Sequence, residues 1–110
     1  MADTVRVFWR NAQSGWFNFN WDGVIGQNSV VHISACECSF PEDNLSGAEG
    51  VVRTRGDAAI YVKNIRPHGP NPGQAITGGV EFILQVDWGT PLNVATDITV
   101  VEDPVGKVIV

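Results

Sequence analysis

The sequence predicts an all-β fold, a single-domain antiparallel β-sandwich of about seven to eight strands spanning residues 1–110, and three observations carry that expectation. Seven short stretches alternate apolar with polar residues at a period of two, and no apolar rhythm of three to four residues lasts for the length of a helix. Clusters of Gly, Pro, Asn and Asp separate these stretches at short intervals, as turns between strands do. A chain of 110 residues with 44% hydrophobic content is also large enough to bury a core without a disulfide or a metal.

The alternation is clearest from Val80 to Trp88, where Val80, Phe82, Leu84, Val86 and Trp88 point one way and Glu81, Ile83, Gln85 and Asp87 the other. Val5, Val7 and Trp9 mark a first strand from about Thr4 to Arg10. Asn11 to Gly15 reads as a turn that returns the chain as a hairpin through Trp16 to Trp21, with Phe17, Phe19 and Trp21 facing inward. Asp22-Gly23 and Gly26-Gln27-Asn28 break the chain before a long strand from Ser29 to about Phe40. Its apolar face switches midway, from Val31, Ile33 and Ala35 to Cys36, Cys38 and Phe40, which predicts a bulge or bend near Ser34. Pro41 to Gly50 reads as a loop, Val51 to Thr54 as a short strand, and Ala58 to Arg66 as a longer one with Ala58, Ile60 and Val62 inward. His68 to Gly73, alternating Pro and Gly, reads as a rigid surface connection. Gly89-Thr90-Pro91 closes the strand ending at Trp88, Thr96 to Val101 follows with Ile98 and Val100 inward, and Val108 and Val110 extend the series in a final strand, Lys107 to Val110.

A net charge of −5, with seven Lys and Arg scattered singly, supplies no basic stripe for phosphates, so nucleic acid is not an expected partner. The same balance argues against attachment to anionic lipid by simple attraction. The N-terminus leads directly into a strand without the apolar region of a signal peptide, and no apolar run approaches the ~20 residues that span a bilayer. These features read as a cytoplasmic protein, one released by a non-classical route, or a mature form whose signal has been removed.

His32, Cys36 and Cys38 share one side of a strand in a pattern that could reach a soft metal, but structural zinc sites pair thiols more closely with a second such couple. The reading adopted is two reduced, largely buried thiols and no metal or other cofactor. No third group orients a Cys–His pair, and no two carboxylates are spaced to share a site, so the chain is not expected to be an enzyme. Asp22, Asp43, Asp57, Asp87, Asp97 and Asp103 read as turn or solubilising residues. Arg55-Gly56-Asp57, the tripeptide integrins recognise, and the sequon Asn44-Leu45-Ser46 are short enough to occur by chance.

If Phe17, Phe19 and Trp21 are inward, then Trp16, Asn18, Asn20 and Asp22 face solvent. The same parity turns Phe8 outward between Arg6 and Arg10, and Tyr61 outward beside Lys63. Aromatic rings with amide neighbours suit stacking on a sugar or residence at a lipid headgroup zone. Trp16, Asn18, Asn20, Asp22, Phe8 and Tyr61 are therefore the candidate ligand-binding residues. A partner sheet or subunit covering these rings is the structural alternative.

The opening Val5-Arg6-Val7-Phe8-Trp9-Arg10-Asn11 followed by Ser14-Gly15, the stretch Ser46-Gly47-Ala48-Glu49-Gly50 after a long strand, and Trp88-Gly89-Thr90 with Asn93 occur in the order found in the aegerolysins. The chain thus resembles that family of small acidic β-sandwich proteins, though it is shorter and carries the His68 to Gly73 insertion. The resemblance implies a non-enzymatic membrane-lipid-binding protein, one component of a two-part pore-forming cytolysin or insecticidal toxin whose partner is a larger membrane-attack-type protein. It assigns no lipid-contact residues. The rival expectations are a lectin-like carbohydrate-binding module and a structural or assembly protein in which Phe8, Trp16 and Tyr61 form the interface of a homo-oligomer.

Overall fold

The computed structural model of the chain describes residues 2–41, 47–70 and 77–110. They form β1 (Asp3–Ala12), β2 (Gly15–Asn20), β3 (Val30–Ser39), β4 (Val52–Arg53), β5 (Ala59–His68), β6 (Gly79–Asp87) and β7 (Leu92–Val101), with a 3-10 turn at Gly47–Gly50. All strand pairs are antiparallel. A four-stranded sheet has the order β1-β7-β3-β4 and a three-stranded sheet the order β2-β6-β5. The all-β sandwich is thus the observed fold.

The core lies between β6 and β7, each flanked by two strands of its own sheet. Val80, Phe82, Leu84 and Val86 of β6 and Val94, Thr96, Ile98 and Val100 of β7 are at most 7% exposed. Edge strands add Val5, Val7, Trp9, Phe17, Phe19, Ile33, Ile60 and Val62, all partly buried against that centre. Trp9 meets Phe17 edge-on at 5.0 Å between ring centroids, and Phe17 stacks on Phe82 at 6.0 Å, so an aromatic cluster ties the two sheets together. The one buried polar side chain among the described residues, Thr96, is satisfied: its Oγ1 accepts from Trp9 Nε1 at 2.9 Å and donates to the Val7 carbonyl at 3.3 Å.

The expected hairpin of the first two strands does not form. β1 pairs with β7 and β2 with β6, so the chain crosses from one sheet to the other between them. The crossing lets Trp9 and Phe17 face each other through the core, where a hairpin would set them side by side on one sheet. Ser14 anchors the link by accepting from Val86 N at 2.8 Å and donating to Val86 O at 3.3 Å.

Two bulges stand where none was expected, each holding an Asn at positive φ: Asn11 (51°) and Asn64 (52°). Each adds one residue to its strand, between Trp9 and Ala12 in β1 and between Lys63 and Arg66 in β5. Asn tolerates this left-handed conformation better than most non-glycine residues. The extra residue shifts the alternation, which is how Ala12 and Ile65 come to pack on the core. At Ser34 there is no bulge, since β3 keeps an unbroken register with β7 from Val30 to Glu37. The switch of apolar face there has another cause. On the outer face of the four-stranded sheet, Cys38 and Ala95 are buried at 3% and 2% exposure, at the end where Phe8, Phe40 and the Gly47–Val51 segment surround a common hollow.

Three further expectations are corrected. Trp88 is 53% exposed, because β6 ends at Asp87 and a bond from Trp88 N to Val86 O at 3.1 Å turns the backbone away from the sheet. Lys107 to Val110 forms no strand, and Val108 and Val110 are exposed. Asp97 is no turn residue but lies within β7, where its carboxylate accepts from Arg6 Nε at 2.6 Å and from a second Arg6 nitrogen at 2.9 Å, with Arg53 3.6 Å away. β7 also starts earlier than expected, at Leu92, and β5 runs on to His68 with Pro67 tolerated at the sheet edge. Of the two expected loops, residues 42–46 and 71–73 lie outside the described residues, and with them Asp43 and the Asn44-Leu45-Ser46 sequon.

Phe82→Ala should cost about 3–5 kcal/mol, as removal of a fully buried ring does, while Trp16→Ala should change stability by less than about 0.5 kcal/mol. Urea denaturation midpoints measure both, and the reverse order would mean that the inner and outer faces of the three-stranded sheet are exchanged. The hydrogen bonds from Arg6 hold the Asp97 carboxyl below its ordinary value of 3.8, outweighing a smaller opposing effect of burial. Its stabilisation is therefore complete above that ordinary value and is lost as pH falls through the depressed one. An Asp97→Asn variant should be slightly less stable than the native protein at pH 7, by under about 1 kcal/mol for so exposed a pair, and the gap should close as urea midpoints are taken into acid.

Candidate functional site

The outer face of the three-stranded sheet collects most of the residues singled out by parity. Across β2, β6 and β5 the register aligns Trp16 with Ile83 and Lys63, Asn18 with Glu81 and Arg66, and Asn20 with Gly79 and His68, while Tyr61 sits opposite Gln85. Trp16 is 57% and Tyr61 45% exposed, and Asn18 and Asn20 are exposed beside them. Because β6 separates the two aromatic strands, the backbones carrying Trp16 and Tyr61 run about 10 Å apart. Ile83 lies between them, so the three apolar side chains form an island on the outer face of the sheet.

Polar groups rim the island in fixed positions. Lys63 Nζ stands 5.8 Å from the centre of the Tyr61 ring, and Arg66 donates to Glu81 at 2.5 Å. His68 Nε2 donates to Asn18 Oδ1 at 2.7 Å, and Asn18 Nδ2 donates to Asn20 Oδ1 at 2.7 Å. This ladder spans from β5 to β2 over Gly79, whose missing side chain leaves the path open. A Cβ at Gly79 would lie 2.5 Å from the Phe19 carbonyl and 3.0 Å from Asn20 Oδ1, so both the strand contact and the ladder depend on glycine there.

Two of the candidate residues lie elsewhere. Asp22, although exposed, is a structural group at the end of the sheet, where its Oδ1 accepts from Gly78 N at 2.9 Å. Phe8 is on the outer face of the other sheet, half-buried, with its ring edge-on to Phe40 at 6.3 Å and the Arg10 guanidinium 3.9 Å from the centre of the Phe40 ring. Trp16, Asn18, Asn20 and Tyr61 are therefore one surface, and Phe8 belongs to another.

Parity alone overlooked Ile83, Lys63, Arg66 and His68. Ile83 was visible as the single apolar residue among Glu81, Gln85 and Asp87 on the polar side of its strand. Arg66 and His68 reach this face only because the Asn64 bulge shifts the alternation of β5.

The remaining motifs form no comparable surface. Arg55, Gly56 and Asp57 are exposed in the link that precedes β5, rather than at the start of the strand. No three His, Cys, Asp or Glu side chains among the described residues are grouped to hold a metal ion. Both cysteines are free. Burial, reinforced by the neighbouring Cys36 and Glu37, pushes the Cys38 thiol up from its ordinary range, whereas Cys36 is only partly covered.

Alkylation of the native protein at neutral pH should therefore modify Cys36 first, with Cys38 reacting only on unfolding, as mass spectrometry of the labelled peptides would report. Equal labelling of both thiols in the folded protein would contradict this burial pattern.

Set beside known proteins, the chain matches no family model, no curated protein and no solved structure.

Proposed function

We propose that this chain is a non-enzymatic domain that recognises a membrane lipid through the outer face of its three-stranded sheet. The observation that carries the reading is the island of exposed Trp16 and Tyr61 around a half-buried Ile83, set on the outer face of the sheet and rimmed by amide and charged groups. An amphipathic surface of this kind suits the headgroup zone of a bilayer, where indole and phenol rings lie with their polar edges in water. With a net charge of −5, the lipid it suits is zwitterionic rather than anionic. Taken with the aegerolysin-like order of motifs, this recognition is that of one half of a two-part cytolysin or toxin, with a larger membrane-attack-type protein as the pore-forming partner.

One observation favours a second reading. The ladder His68–Asn18–Asn20 presents fixed amides beside Trp16, a combination that also suits a glycan, as in a lectin-like module.

Sedimentation with phosphatidylcholine vesicles, with and without sphingomyelin, tests the first reading. The native protein should pellet with at least one composition, and Trp16→Ala combined with Tyr61→Ala should weaken that binding by about tenfold or more, the two rings being its main apolar anchors. No binding to either vesicle, with capture on immobilised glycan instead, would replace the lipid reading by the lectin-like one. Concentration-dependent dimerisation abolished by the same double variant would identify the island as a subunit interface.

A further inference from the structure

At one end of the sandwich the chain crosses between sheets twice, through the β1–β2 link and through the turn from Trp88 to Pro91 that joins β6 to β7. The two crossings stand side by side around a cleft of about 370 Å³. That volume falls within the range of small-molecule sites. Val86, 7% exposed, closes the bottom, and Ser14 is fixed beside it by its two bonds to the Val86 backbone. Gln13 and Thr90 line the cleft with side chains that are exposed and make no hydrogen bond to the described residues.

Trp88 stands at the lip. Its alternation with Val86 would place it in the core, yet the tight turn holds the indole 53% exposed. Gly89 beside it also lines the cleft, and a Cβ built there meets no atom within 4 Å, so a larger side chain at this position would enter open space without a clash. None of the lining side chains is ionisable, so the cleft offers no counter-charge to a phosphate, a carboxylate or an ammonium group. What it does offer is one apolar aromatic plate, a carboxamide and a hydroxyl.

We infer that this cleft is a binding subsite for a neutral pyranose, with the sugar's C–H face stacked on Trp88 and its hydroxyls bonded to Gln13 and Thr90. A pyranose has one largely apolar face and a polar rim, the same division of chemistry that the cleft presents. The subsite shares no residue with the sheet face and does not rest on the reading of that face. The sugar could be free or glycoprotein-borne, or it could be a glycolipid headgroup; the recognised chemistry is the same.

Calorimetric titration of the full chain with methyl glycosides of glucose, galactose, mannose and N-acetylglucosamine tests the proposal. At least one should bind saturably, and Trp88→Ala and Gly89→Leu should each weaken it by about tenfold or more, by removing the plate or filling the mouth. Trp16→Ala should leave the affinity unchanged, which separates this subsite from the sheet face. Glucose 6-phosphate and glucuronate should bind more weakly than the matching neutral sugar. Phosphatidylcholine vesicles with and without glucosylceramide or galactosylceramide then identify the source: a gain with glycolipid that Gly89→Leu removes marks a headgroup, and binding to the soluble glycosides alone marks a free glycan. Failure of all four glycosides to bind, or binding that Trp88→Ala and Gly89→Leu both leave intact, would overturn the proposal.

Discussion

The contact between the inner faces of β6 and β7 is the constraint on which the molecule depends. The two strands are consecutive in the chain, joined by a short turn, and each is central in its sheet, so one turn places both halves of the core. Eight side chains on these strands are almost wholly removed from water, and β1, β2, β3 and β5 pack at their margins. The β1–β2 crossing answers the same demand from the other end of the sequence. It puts Trp9 and Phe17 on opposite sides of the core and lets the aromatic cluster close over Phe82. Between the two central strands this apolar burial accommodates the polar side chain of Thr96, because both its donor and its acceptor capacity are met.

Burying one face of each sheet leaves two outer faces, and the sequence treats them differently. The four-stranded sheet carries the Arg6–Asp97–Arg53 ion cluster at one place and a partial cover over Ala95 and Cys38 at another. On the three-stranded sheet, the outward Trp16, Asn18, Asn20, Tyr61 and Lys63 of the flanking strands are all exposed. Each exposed ring there is an unrecovered gain from burial. Their gathering around Ile83, with the hydrogen-bonded amides and the Arg66–Glu81 pair fixed at the rim, is the physical reason for regarding this face as a recognition surface. The Trp88 cleft lies at the end of the sandwich and uses the crossing turns rather than the sheet.

Much of this was legible in alternation alone. Period two identified the fold and put Phe82, Leu84, Ile98 and Val5 inside and Trp16 and Tyr61 outside, because a half-buried strand leaves that signature directly in its residues. What alternation does not encode is which strands pair. Thr4 to Arg10 and Trp16 to Trp21 read as a hairpin, and the pairing of β1 with β7 and β2 with β6, with Trp9 against Phe17 across the core, makes them facing strands instead. The bulges were hidden for a related reason. Asn11 and Asn64 are ordinary turn or surface residues until a positive φ is required of them, and the shift at Asn64 is what carries Arg66 and His68 onto the candidate face. Trp88 kept the rhythm of its strand in sequence but sits just past the last paired residue, where the rhythm has no further force.

Hydrogen–deuterium exchange of the full chain, free and with phosphatidylcholine–sphingomyelin vesicles, tests the proposed recognition surface most directly, because it reports whether a membrane is met and by which sheet. Slower exchange with vesicles should be confined to β2 and β5, at Trp16 to Asn20 and Tyr61 to His68, with β1 and β3 unchanged. Protection on β1 and β3 instead, or no change in β2 and β5 under conditions where the protein pellets with the vesicles, would contradict a recognition surface on the three-stranded sheet.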